Sequence, residues 1–138
     1  MRIGKVAEQA GVSVETIRFY ERKGLIAQPH KPENGGYRSY SRETVDRVRF
    51  IRQGQSLGFS LKEIEDLLLL KAEPQTDCAD VRERALAKLD EVNDKITNLT
   101  AIRSALENLI HECQGQGPAS SCCPILDALD PNAKEHVS

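Results

Sequence analysis

From residue 79 to about residue 112 the apolar positions fall on one narrow stripe: Ala85, Leu89, Val92, Ile96 and Leu99, then Ile102, Leu106 and Leu109. Their spacing runs 4-3-4-3 with one slip near Arg103, and no Gly or Pro interrupts the run. A seam this narrow reads as a coiled coil of about five heptads rather than as a helix packed into a globular core. A single helix of this kind would leave its stripe in water, so the pattern predicts a dimer. A packing helix within one chain is the alternative, and too little apolar sequence remains elsewhere to cover it.

Ahead of the stripe the pattern is broken into short pieces. Residues 4–10 and 14–23 predict two short helices joined at Gly11. Ser13 is placed to cap the second, because its hydroxyl can accept a free N–H of the first turn. Gly24 is placed to stop it in a left-handed conformation. Arg18, Phe19, Tyr20, Arg22 and Lys23 put cations and aromatics on that second helix, the layout of a helix-turn-helix. Residues 29–36 are turn-rich, and the alternation of Tyr37-Arg38-Ser39-Tyr40 predicts a short hairpin, or wing. Ser41 opens a helix to about Leu57, with Val45, Val48 and Ile51 inward and Arg42, Arg47, Arg49 and Arg52 around them. Gly58 breaks it. Ser60-Leu61-Lys62-Glu63 is a capping box for a Leu-rich helix through Leu70.

The expected fold is therefore mainly α. A winged helix-turn-helix domain with connector helices (1–72) leads through a hinge (73–78) to an antiparallel coiled-coil dimerisation helix (79–112). A metal-binding loop and short helix (113–129) and a frayed tail (130–138) follow. The 138 residues carry a net charge of −2, unevenly spread. Residues 1–70 hold twelve Lys/Arg against nine Asp/Glu, and residues 71–138 hold seven against twelve. A basic front and an acidic back fit a nucleic-acid domain joined to something else, although chance asymmetry gives the same numbers. No apolar run is long enough to span a membrane, and no signal-peptide core precedes the first helix, so the expected location is the cytoplasm. No phosphate-cradling Gly loop, H-E-x-x-H or dinucleotide fingerprint is present, and no enzyme is expected.

Cys78 and Cys113 flank the long helix, and Cys122 and Cys123 follow a Gly/Ser/Pro-rich loop. A helix of about 34 residues at ~1.5 Å each is about 50 Å long, so Cys78 and Cys113 of one chain cannot share a ligand. In an antiparallel dimer, Cys78 of one subunit meets Cys113 and Cys122/Cys123 of the other. Thiolates select soft ions such as Hg(II), Cd(II), Pb(II), Zn(II) and Cu(I). Buried free thiols and a thiol redox switch are the competing readings. A disulfide is disfavoured in a reducing compartment, and an iron–sulfur centre lacks its usual spacing. His111, two residues before Cys113, is either an auxiliary metal group or a charge partner for the helix end.

The run from Thr16 to Leu25, Tyr37-Arg38-Ser39-Tyr40, the run from Leu57 to Ile64, and Cys123-Pro124-Ile125-Leu126 together resemble the MerR family of metal-responsive bacterial regulators over about 125 residues. That resemblance implies a homodimer on double-stranded promoter DNA. It implies activation by DNA distortion when metal binds, so that RNA polymerase meets a productive promoter. Arg18, Tyr20, Tyr37 and Arg38 match the family's DNA contacts, with Ser13 and Thr16 beside them on the recognition helix. Phe19 is expected in the domain core. Cys78 matches a position that the family's monovalent copper and silver sensors lack and its divalent sensors keep. Cys78 and Cys113 match two of the three mercury ligands, and the third match is shared between Cys122, by spacing, and Cys123, by context. Gln114 and Pro118 stand where the zinc branch has Cys and His. Hg(II) is thus the favoured effector, with Cd(II), Pb(II) and Zn(II) behind it.

Overall fold

Gly11 and Gly24 end the first two helices in the same way. Both have positive φ, 71° and 75°, which a Cβ would disfavour. At Gly24 the Leu25 N–H donates to Tyr20 O (2.9 Å) and the Gly24 N–H to Glu21 O (3.1 Å), so two carbonyls left over at the helix end are satisfied. At Gly11 the matching bonds run from Val12 N–H to Ala7 O and from Gly11 N–H to Glu8 O. The computed structural model describes residues 1–119 and 123–132. Its helices are α1 (Ile3–Ala10), α2 (Val14–Arg22), α3 (Arg42–Ser56), α4 (Leu61–Ala72), α5 (Cys78–Glu112) and α6 (Pro124–Leu129). The end of the expected tail, 133–138, lies outside the described residues, as does Cys122.

The chain falls into two units, Met1–Lys88 and Leu89–Ser138. In the first, α1, α2, α3 and α4 close around one small core. Val6, Ile17, Tyr20, Leu25, Val45, Val48, Ile51 and Ile64 are each no more than 2% exposed. The stripe expected on α3 is that core's centre. Gly54 lets α3 and α4 approach, since a Cβ there would stand 2.9 Å from Ile64 Cγ1. Two of the arginines around the stripe are fasteners. Arg47 Nε donates to Leu25 O at 2.7 Å, and an Arg49 guanidinium N–H donates to Gln9 O in the last turn of α1 at 2.8 Å. Each cation sits on a carbonyl near the end of a helix-turn-helix element, where the backbone is partially negative.

The expected hairpin does not form: among the described residues there is no β-strand. The extended segment pairs with the chain start instead. Tyr40 N–H donates to Met1 O (2.6 Å) and the Met1 ammonium to Tyr40 O (2.8 Å). The backbone groups that a hairpin partner would take are thus already occupied at Tyr40.

The first unit extends past the expected hinge. Asp77 Oδ1 accepts the Ala79 N–H at 3.0 Å, so α5 starts at Cys78, one residue earlier than its periodicity suggests. The first turns of α5 are then tied to α4 by ion pairs Arg84–Asp66 and Lys88–Glu63, the latter at 2.8 Å. In the second unit the stripe is on the surface of the chain: Ile96 is 55% exposed and Leu99 64%.

The capping box forms as expected. Ser60 Oγ accepts the Glu63 N–H, and Glu63 Oε1 accepts the Ser60 N–H. Hydrogen bonding to Lys88, then to the Ser60 backbone, pulls the Glu63 pKa down to about 2. A carboxyl depressed in the folded state stabilises the fold above its unfolded pKa, near 4.5, and loses that contribution as pH falls toward about 2. Circular dichroism melts between pH 5 and pH 2 should therefore show a steep loss for the native chain. Glu63→Gln should be less stable at pH 6 and flatter across the acid limb. Parallel acid limbs in the two proteins would remove Glu63 from this role.

Candidate nucleic-acid interface and metal ligands

Ser13 precedes α2 in extended conformation, and its Oγ accepts the Thr16 N–H at 3.1 Å. The Ser13 and Thr16 hydroxyls are 2.9 Å apart. Both side chains thus build the N-terminal turn of α2. One turn further on, Arg18 points outward and is exposed.

Beside it lies a groove of about 930 Å³ formed by α1, α2 and the segment around residues 28–40. Five cations line it (Arg2, Lys5, Arg18, Lys31 and Arg38) against two carboxylates, Glu8 and Glu21. Tyr37, 71% exposed, also lines it, with the Arg2 guanidinium 3.9 Å from its ring centroid. Arg38 holds the segment's shape by donating from Nε to Pro29 O at 2.9 Å. Tyr40 pins the segment to α2 by donating to Glu21 Oε1 at 3.1 Å. Burial, and then the Glu21 carboxylate, push the Tyr40 pKa up to about 12, so this hydroxyl stays protonated. A rigid concave face with excess positive charge and an exposed aromatic is suited to an anionic backbone.

The groove brings together Arg18, Tyr37 and Arg38. It does not include Ser13, Thr16 or Tyr20. Tyr20, expected at the DNA, lies in the core of the unit. It is 2% exposed, and its hydroxyl donates to Gln55 Oε1 at 2.9 Å, so it joins α2 to α3 and has no free donor for DNA. Phe19 is corrected in the opposite sense: it is 36% exposed and lies under Arg22 and Lys23. The helix phase explains the exchange. Ile17 and Tyr20, three apart, share the inward face, and Phe19 falls beside it. Arg2, Lys5 and Lys31 are the cations that the sequence reading passed over. Their signal was present as basic residues at the chain start and within the turn-rich stretch, but only folding gathers them.

The described cysteines are free thiols. Cys78, the first residue of α5, is exposed, and Cys113 and Cys123 are half-buried. Cys123 precedes α6, and its carbonyl accepts the Asp127 N–H at 3.1 Å. Among the described residues of one chain, no three His, Cys, Asp or Glu side chains stand together as a metal would need. The donor chemistry itself, three thiols with no disulfide between them, fits a soft ion.

The family model of the MerR HTH family regulatory protein matches residues 1–71, and that of MerR, DNA binding, matches residues 45–109. The HTH-type transcriptional regulator HmrR of Rhizobium leguminosarum bv. viciae is 42% identical, covering 96% of this chain and 100% of its own. The mercuric resistance operon regulatory protein of Bacillus cereus is 41% identical over 93% of this chain and 96% of its own. The crystal structure of the transcription regulator PbrR691 from Ralstonia metallidurans CH34, in complex with lead(II), superposes with a TM-score of 0.81 at 33% identity, covering 94% of this chain and 99% of that one. The chain belongs to the MerR HTH family of regulatory proteins. Its relatives are transcription regulators, and among the described residues no helix is long and apolar enough to cross a membrane.

Two substitutions separate reading from scaffolding on α2. Arg18→Ala should weaken duplex binding by about 1–3 kcal/mol if it meets a base edge, with the loss concentrated at one base-pair position. Tyr20→Phe should lower folding stability by about 1 kcal/mol and leave the ranking of duplex sequences intact. Fluorescence anisotropy across a panel of single-base-pair variants, with chemical denaturation alongside, distinguishes them. Sequence discrimination lost on Tyr20→Phe would return that hydroxyl to the interface.

Proposed function

We propose that this chain is a cytoplasmic metal-sensing regulator that binds promoter DNA as a homodimer and switches on heavy-metal resistance or efflux genes. The observation that carries the reading is one helix. α5 presents an uncovered apolar stripe along its length and has a cysteine at each end, Cys78 as its first residue and Cys113 just after its last. Burying that stripe against a second, antiparallel copy brings Cys78 of one subunit to Cys113 and Cys123 of the other, with Cys122 beside them in the sequence.

In this reading each half of the dimer offers one cation-lined groove to the duplex. Arg18 and Arg38 contact phosphate or a base edge, and Tyr37 with Arg2 steadies the backbone. The Cys78, Cys113 and Cys123 thiolates are the ligands, and Cys122 is a fourth candidate. A soft divalent ion would supply a crosslink between the two subunits' thiolates. The chain then distorts the promoter so that RNA polymerase can use it. Hg(II) is the favoured ion. Support comes from the likeness to a mercuric resistance regulator and from the presence of Cys78; the lead(II)-bound relative keeps Pb(II) next, with Cd(II) and Zn(II) after it.

Sedimentation at micromolar concentration should give twice the chain mass. Mixed dimers then test the ligand set. One chain carries Cys78→Ser, and the other lacks Cys113, Cys122 and Cys123. Their mixture should contain a dimer with one complete site that binds one Hg(II) tightly, and each parent dimer should bind none tightly. Full affinity in both parents would mean that each site is built within one chain. Affinity should also fall with decreasing pH, because thiolate ligation releases protons. Equal partial loss in Cys122→Ser and Cys123→Ser would favour four thiolates and a tetrahedral ion, Cd(II) or Zn(II).

A further inference from the structure

Lys88 is the one buried charged residue among the described residues, at 8% exposure. Its ammonium meets Glu63 Oε1 at 2.8 Å and lies 5.6 Å from the Phe59 ring centroid. One turn back along α5, Arg84 pairs with Asp66. Glu63 and Asp66 are three apart on α4, and Arg84 and Lys88 are four apart on α5. Both spacings put the two charges on one helix face. The two pairs therefore form the rungs of a ladder between antiparallel helix faces.

The lower rung does double duty. Glu63 Oε1 accepts the Ser60 N–H at 2.8 Å as part of the capping box, and it is the same oxygen that meets Lys88. Displacing α5 from α4 would thus disturb the N-terminal cap of α4 as well as an ion pair. Exposed ion pairs are weak clamps, but this one has a nearly buried cation and a second rung beside it.

The remaining contacts run on to the DNA-facing groove. Ile64, next to Glu63, packs on Gly54 of α3. From α3, Arg49 holds the end of α1, Arg47 holds Leu25, and Gln55 receives the Tyr20 hydroxyl from α2. At the other end, Cys78 stands six residues before Arg84, about 9 Å along the helix axis.

Taking the metal-sensing reading above as its basis, we infer that the ladder Glu63–Lys88 and Asp66–Arg84 is the element through which a change at Cys78 reaches the groove. Glu63 and Asp66 are positioning residues. They hold α4 to the first turns of α5 and touch neither DNA nor metal. Breaking and remaking the rungs measures the coupling.

The test uses the full-length protein, Hg(II), and a duplex recovered with the native chain from a randomised pool, carrying 2-aminopurine at its centre. The variants are Asp66→Arg, Arg84→Asp and the double exchange. Each single variant should keep its duplex and Hg(II) affinities and reduce the Hg(II)-dependent change in 2-aminopurine emission about fivefold or more. The double exchange should restore it. In the metal-free protein, hydrogen exchange of the first amides of α4 should speed up in Lys88→Met and stay unchanged in a Leu99→Ala control. Single variants with the native response, or a double exchange that restores nothing, overturn the inference. If the reversals do not fold, Asp66→Asn and Arg84→Gln replace them, and an undiminished response in both overturns it equally. A native chain with no emission change on Hg(II), Pb(II), Cd(II) or Zn(II) would instead sink the metal-sensing reading.

Discussion

Water is a poor neighbour for the apolar stripe that runs from Ala85 to Leu109 along a 35-residue helix, and the proposed assembly is arranged around that constraint. Leu89, Ile96, Leu99, Ile102 and Leu106 are each more than half exposed in the single chain. A helix of this length is stabilised mainly by what covers its apolar face, not by its own backbone. The first unit's own apolar residues are spent on one small core. In the proposed dimer a second copy covers the stripe and brings its own cysteines with it, so that dimerisation and ligand assembly would be one event.

The first unit divides its polar residues between building and facing outward. Tyr20 and Tyr40 are buried with their hydroxyls bonded, and Ser13, Thr16, Arg47 and Arg49 are bonded within the domain from its surface. Arg18 and Tyr37 are left to the surface. Around a core of few apolar residues, Arg47 and Arg49 of α3 add hydrogen bonds to the ends of α2 and α1.

Helix positions were legible from the sequence because their signals are local. Ser13, Ser60 and Gly24 punctuate the chain with groups that satisfy orphan backbone donors and acceptors, and Val45, Val48 and Ile51 keep helical spacing. The basic groove was legible only in part. Tyr20 and Phe19 are adjacent and aromatic, and the phase set by Ile17, three residues before Tyr20, puts Tyr20 inside, where Gln55 takes its hydroxyl. The hairpin was misread because alternation in Tyr37-Arg38-Ser39-Tyr40 records extended backbone without recording its partner, which is Met1. The extent of the first unit was hidden for a related reason: the pairs that bind α5 to α4 join residues 18 and 25 positions apart.

The chain contains no Trp and three tyrosines. Two are buried with their hydroxyls given away, Tyr20 to the Gln55 amide and Tyr40 to the Glu21 carboxylate. Tyr37 alone lies open, beneath Arg2 on the wall of the groove. One of the chain's three tyrosine rings therefore stands in its basic face while the other two are turned inward. The fold has placed an intrinsic optical label where a polyanion would sit, and no dye need be attached to watch that surface fill.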